Sequence, residues 1–132
     1  MAKFDNLICL LADDYSTARR LIKDSLQQIG FSCLEAENGN QALSQIQQTT
    51  LDLIIADVNM PEKNGLELLE DIRADDNMMD LPVVLTMLEP FVDLIFDARK
   101  LGMNDYLVKP FDVFTLSKTL DKVIKITGGE SL

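Results

Sequence analysis

Four side chains of this sequence stand where extended apolar runs end, and together they suggest one chemistry. Asp13 and Asp14 follow the run at 6–12 (NLICLLA), Asp57 follows the run at 51–56, and Lys109 follows 106–108. If the first and third of these segments are neighbouring strands, the three carboxylates converge. Three like charges at close range raise one another's pKa and are costly unless compensated. A hard divalent cation removes that cost. Mg²⁺, or Mn²⁺ in its place, held by carboxylates and water suits an all-oxygen cluster in a chain without His. Lys109 adds a fixed positive charge from another side. A carboxylate, a divalent cation and an ammonium together can stabilise a phosphoryl group passing to a carboxylate nucleophile. A lone carboxylate at a strand end can equally well cap a helix, so the reading rests on the set.

The elements that must position these groups follow from hydrophobic patterning. Asp57 ends a short run of Leu53, Ile54, Ile55 and Ala56, the composition of a strand buried on both faces. Ser16-Thr17 offers a helix start, with Leu21, Ile22, Leu26 and Ile29 at helical spacing and Gly30 as its stop. A short strand over 31–36 precedes a helix carrying Ala42, Leu43 and Ile46. Another helix over about 66–74 has Leu66, Leu69 and Ile72 on its inner face. DDNMMD at 75–80 reads as a loop, 83–87 as the fourth strand, 91–101 as the fourth helix, 106–108 as the fifth strand, and Val113, Leu116, Leu120 and Val123 mark the last helix. In the fourth helix Phe91, Leu94, Ile95 and Ala98 are expected to face the sheet, leaving Val92 and Phe96 outside. Five βα units in succession call for right-handed crossovers and a parallel sheet covered on both faces, a doubly wound α/β domain.

Composition narrows the function classes. Acidic residues outnumber basic ones 22 to 12, a formal charge of -10, which argues against a nucleic-acid partner and against anionic membranes. Cys9 and Cys33 lack CxxC spacing and read as buried, reduced thiols of a cytoplasmic protein. No apolar run approaches a membrane span. A P-loop hydrolase would need GxxxxGK[ST], and a dinucleotide binder GxGxxG after the first strand; neither motif is present. A haloacid-dehalogenase-type phosphatase would need an acid at position 59, which is Asn. A flavodoxin-like electron carrier would meet Asp13-Asp14 where its anionic cofactor should bind.

The pieces LADDYSTARRLIKDSLQQIGF, LEAENGNQAL, DVNMPEKNGLELLEDIRAD and LGMNDYLVKPF resemble bacterial response-regulator receiver domains, in particular the single-domain chemotaxis regulators. The likeness runs from about residue 6 to 124. It implies one flavodoxin-like receiver domain over 1–127, with a five-stranded parallel sheet of order 2-1-3-4-5 and five flanking helices, followed by a flexible tail at 128–132. It also implies that Asp57 is the phosphoacceptor, serving a signalling role rather than that of a turnover enzyme. Asp14, Asp57 and the backbone carbonyl of Asn59 would hold Mg²⁺, Asp13 would help through bound water, and Lys109 would contact phosphoryl oxygens. The Lys109–Pro110 peptide is expected to be cis. A histidine kinase or phosphotransfer protein would be the donor, and a flagellar motor switch is one candidate for the downstream partner.

Receivers place a Thr or Ser at the end of the fourth strand, followed by a small residue. Counting without a gap from Pro82 to Lys109 puts Met87 and Leu88 there; a one-residue shift would use Thr86, but shifting a strand by one turns its side chains to the opposite face. Both readings stay open, with Tyr106 as the family's second switch residue or a plain strand aromatic. Pro90, Phe91, Val92 and Phe96 form an apolar set next to Tyr106, a candidate partner or homodimer surface. The alternative function is a divergent receiver with altered or lost switching that serves as a protein-interaction module.

Overall fold

The computed structural model describes residues 3–124; the tail expected at 128–132 lies outside them. The elements are β1 (Ile8–Ala12), α1 (Ser16–Gln28), β2 (Ser32–Ala36), α2 (Gly39–Gln48), β3 (Leu53–Asp57), α3 (Gly65–Ala74), β4 (Val83–Met87), α4 (Val92–Leu101), β5 (Asp105–Val108) and α5 (Val113–Val123). All strand pairs are parallel and the order is β2-β1-β3-β4-β5, as the sequence reading expected.

Alternation along the strands divides the interior into two cores. Leu10, Ala12, Ile54, Ala56, Leu85 and Met87 point to one face and pack with Ala42 and Ile46 of α2, Leu68, Leu69 and Ile72 of α3, and Ala98 of α4. Cys9, Leu11, Leu53, Ile55, Val84 and Leu107 point to the other, against Ile22 and Leu26 of α1 and Leu116 and Leu120 of α5. Phe4 and Phe31 stack at 5.1 Å beneath that second core. Every residue of β3 and β4 is buried, the consequence of central strands covered by helices on both sides.

Helix ends follow their capping chemistry. Asn64 and Glu67 close a reciprocal capping box on α3, Asn38 caps α2, Asp112 caps α5, and Gly102 ends α4 at φ 103°. The Arg73 guanidinium donates to the carbonyls of Gly102 and Leu81 and to Asn104 Oδ1, which itself accepts from the Val83 N–H. This knot ties α3, the start of β4 and the α4–β5 turn together at the end of the sheet opposite Asp57.

Two local expectations need correction and a third is extended. The inner face of α3 also takes in Gly65 and Leu68 beside the expected Leu69 and Ile72, while Leu66 is half-buried and packs at the margin of that core. Phe91 does not face the sheet but is the exposed N-cap of α4, its backbone extended so that the side chain leaves before the helical turn begins. Of the two thiols, Cys9 is buried but Cys33, on the edge strand β2, is only half-buried. Burial pushes the Cys9 thiol well up, and burial first among several causes pushes Cys33 to about 11, so both are protonated and unreactive near neutral pH.

Gly65 links the fold to Asp57. A Cβ at position 65 would lie 2.5 Å from the Asp57 carbonyl oxygen and 3.0 Å from its carbon, so only glycine lets α3 start this close to β3. Gly65→Ala would normally gain at most about 1 kcal/mol from chain entropy, but here the clash is with backbone, and a net loss of about 1–3 kcal/mol is expected. Urea denaturation measures it; equal or greater stability of the variant would contradict the close approach.

Candidate functional site

The C-terminal ends of β1, β3 and β5 meet at one edge of the sheet, where open α/β folds place their ligands. Asp57 is the last residue of β3, while Asp13 and Lys109 stand one residue beyond β1 and β5. Lys109 Nζ donates to Asp13 Oδ2 at 2.6 Å and to Asp57 Oδ2 at 2.5 Å. The three side chains are 12%, 1% and 11% exposed in the order Lys109, Asp13, Asp57, so the bridge lies largely out of water. Burial works to lower the pKa of Lys109, but its hydrogen bonds to Asp13 and Asp57 outweigh it and leave the ammonium raised.

Backbone groups aim both carboxylates. The second oxygen of Asp57 accepts from the Asn59 N–H at 2.8 Å, and that of Asp13 from the Tyr15 N–H at 2.9 Å. The Lys109 N–H donates to the Met87 carbonyl at 2.8 Å, tying β5 to β4 just below the lysine, and the Lys109–Pro110 peptide is cis.

The expected convergence of Asp13, Asp14 and Asp57 is only partly found. Asp13 and Asp57 come together around Lys109, while Asp14 and Asn59 are exposed at the rim. Among the described residues no three acidic side chains are grouped as a ligand set. The reason is that consecutive residues leaving a strand project in different directions, and that the ammonium already compensates the inward pair. The donor types at this edge, carboxylates and backbone carbonyls without imidazole or thiolate, nevertheless fit a hard divalent cation.

On β4 the register is unbroken: Asp57 pairs with Thr86, and Met87 with Val108. Partners in neighbouring strands project to the same face, so buried Thr86 lies on the Asp57 side without any bulge. Met87 is buried in the opposite core, on the side of α2, α3 and α4. Tyr106 is half-buried, with the Arg99 guanidinium 5.9 Å from its ring centroid. Leu88, Phe91, Val92 and Phe96 are exposed, Val92 to 80%, as is Pro90.

One contributor escaped the sequence reading. Arg19 of α1 donates through Nη1 to the Asp13 carbonyl at 2.6 Å and through Nε to Glu35 of β2 at 2.9 Å. Lys23 reaches the other oxygen of Glu35. The available signal was the i,i+4 spacing of Arg19 and Lys23, two cations on one face of a helix flanked by an acidic edge strand.

Comparison with known proteins gives the same picture. The family model described as the response regulator receiver domain matches residues 9–121. The chain belongs to the response-regulator receiver family. The chemotaxis protein CheY-3 of Vibrio cholerae is 39% identical over 121 residues, covering 91% of this chain and 93% of its own. The crystal structure of the Vibrio cholerae chemotaxis protein CheY4 superposes with a TM-score of 0.85 at 31% identity, over 89% of this receiver and 98% of that chain. The receiver domain of a sensor histidine kinase from Pseudomonas aeruginosa PAO1, whose cleft holds a magnesium ion, superposes at 0.82 with 26% identity over 89% and 96%. The protein is thus a receiver of two-component signalling, similar to chemotaxis regulators. Among the described residues no helix is long and apolar enough to cross a membrane.

The bridge sets a pH dependence. A lysine whose folded-state pKa is raised contributes stability that is fully present below its unfolded pKa, about 10.4, and lost as pH rises through the folded value. Lys109→Met is therefore expected to lower stability at pH 7 by about 3 kcal/mol, since it leaves two buried carboxylates uncompensated, and the gap between parent and variant should narrow only as pH rises from roughly 10.4 through the raised folded value. Adding Asp13→Asn to Lys109→Met should restore part of the loss. Denaturant titrations at pH 7 and pH 11 would refute the bridge if the variant matched the parent at pH 7.

Proposed function

We propose that this receiver accepts a phosphoryl group on Asp57 from a histidine kinase or phosphotransfer protein, and that the modification changes the surface around α4 and β5. The observation that carries this reading is the Lys109 bridge to Asp57 and Asp13 at the sheet edge. Asp57 Oδ2 is the attacking atom. Its bond to phosphorus forms as the donor's P–N bond breaks, and the electron pair leaves with the imidazole nitrogen. Lys109, released from Asp57 Oδ2, is placed to follow the charge onto the phosphoryl oxygens while Asp13 keeps it oriented. The Asn59 N–H holds the second oxygen of Asp57 and fixes the direction of attack. Asp14, Asp57 and the Asn59 carbonyl would hold Mg²⁺, or Mn²⁺, which supplies charge neutralisation at the transferring group.

The apolar set of Leu88, Phe91, Val92 and Phe96 beside Tyr106 supports the α4–β5 face as the region read by a partner. The chemotaxis relatives make a flagellar motor switch one candidate, and a second copy of this chain another. A second reading, a divergent receiver with altered switching, draws support from Met87, which occupies the position counted as the hydroxyl slot. Thr86, on the Asp57 face of β4, favours the first reading.

Acetyl phosphate with Mg²⁺ should add one phosphoryl group by intact mass, and Asp57→Asn should abolish it; an unchanged adduct in that variant would overturn the assignment. Beryllofluoride should move amide resonances at Asp57, Phe91 and Tyr106 in the parent. Thr86→Ala should confine those shifts to the site, and shifts already confined in the parent would favour the divergent reading.

A further inference from the structure

Asp13 is held at every polar atom the strand end offers. Its N–H donates to the Ala36 carbonyl at 3.0 Å, its two carboxylate oxygens accept from Tyr15 and Lys109, and its carbonyl accepts from Arg19. The last of these bonds restrains the plane of the peptide between Asp13 and Asp14, and so limits the directions in which the Asp14 side chain can leave the chain. Arg19 cannot drift, because its Nε is bonded to Glu35, and Glu35 is itself gripped by Lys23. Hydrogen bonds first from Lys23 and then from Arg19 hold the Glu35 carboxyl below the ordinary carboxylate range, so this anchor stays charged at neutral pH. The Arg19 side chain is 14% exposed, too enclosed to be an ordinary solvated charge.

We infer that Arg19 is a positioning residue for the cation site: bonded to the Asp13 carbonyl and braced on Glu35, it sets the Asp13–Asp14 peptide so that Asp14 is presented to a divalent cation. The inference rests on the proposed Mg²⁺ site. Geometry suits arginine in particular, since its planar fork serves a carbonyl and a carboxylate at once, whereas a lysine ammonium on the same helix would have to serve them from one point. Groups that orient metal ligands typically change affinity by about 10-fold or more when removed.

The sign of the effect separates this role from plain electrostatics. Arg19 is a cation near the acidic edge, so deleting its charge without any change of geometry should tighten Mg²⁺ binding. Loss of positioning should weaken it. The test is a Mg²⁺ titration of isotope-labelled parent, Arg19→Gln and Arg19→Lys, followed through the amide resonances of Asp14, Asp57 and Asn59 well below each protein's melting temperature. Arg19→Gln is expected to raise the Mg²⁺ dissociation constant about 10-fold, with Asp14 and Tyr15 amides displaced already in the metal-free protein. Arg19→Lys, which keeps the charge and one of the two bonds, is expected to show a smaller loss. At saturating Mg²⁺ the phosphorylation rate from acetyl phosphate should return to that of the parent.

Unchanged or tighter Mg²⁺ binding in Arg19→Gln overturns the inference, as does a lower melting temperature with no change in the dissociation constant. If Arg19→Gln does not fold, Arg19→Lys carries the test, and parent-like affinity in it overturns the inference. A parent that itself fails to bind Mg²⁺ would instead overturn the metal site on which the inference rests, a separate result.

Discussion

The ammonium of Lys109 between Asp13 and Asp57 is the contact on which the rest of the site depends. It joins the ends of three strands that are not all neighbours: β1 and β3 pair directly, while β5 is two places from β3. Two carboxylates this enclosed would repel each other if they faced one another alone, and burial would raise the cost. With the lysine between them they form a compensated group that is still charged, and its partners can be exchanged. A phosphoryl group on Asp57 would offer Lys109 new oxygens of the same sign, and under the proposed function the lysine would change its bond without leaving its place.

What allows one lysine to span that gap is the rigidity beneath it. β3 and β4 are buried along their whole length, so their register is specified by both cores, and slipping either by one residue would exchange the two sets of apolar side chains. Asp57 inherits that certainty as the last residue of β3. Its carbonyl is covered by Gly65 and its carboxylate is aimed by Asn59, so the residue proposed as the phosphoacceptor has little freedom of its own.

The sequence made the architecture legible because three of the strands, β1, β3 and β5, run into Asp or Lys at their ends, and several helices are punctuated by Asn, Gly or Asp caps. The doubly wound sheet and the meeting of Asp13, Asp57 and Lys109 followed from that pattern. Directions were harder to read. Whether Asp14 turns inward with Asp13, whether Phe91 packs or caps, and whether Leu66 or Leu68 lies beneath α3 depend on a rotation of one residue at an element's edge, where periodicity carries least information. Which of Thr86 and Met87 faces Asp57 was hard to read for a related reason. The pairing of Thr86 with Asp57 depends on the relative heights of two strands, which no single segment encodes. Arg19 was not legible as a site residue because its partner there is a backbone carbonyl, and sequence patterns show side chains only.

The Arg73 knot gives the far end of the sheet a mechanical meaning. Its hydrogen bonds grip the Gly102 carbonyl at the C-terminal end of α4 together with the start of β4, while the N-terminal end of α4, with Phe91 and Val92, is exposed. A helix of 10 residues is about 15 Å long, so α4 is a short lever pinned at its base. A rotation about such an anchor would displace each residue in proportion to its distance from it. The apolar residues that stand furthest from Arg73 along α4 are therefore those that a small rotation would carry the furthest.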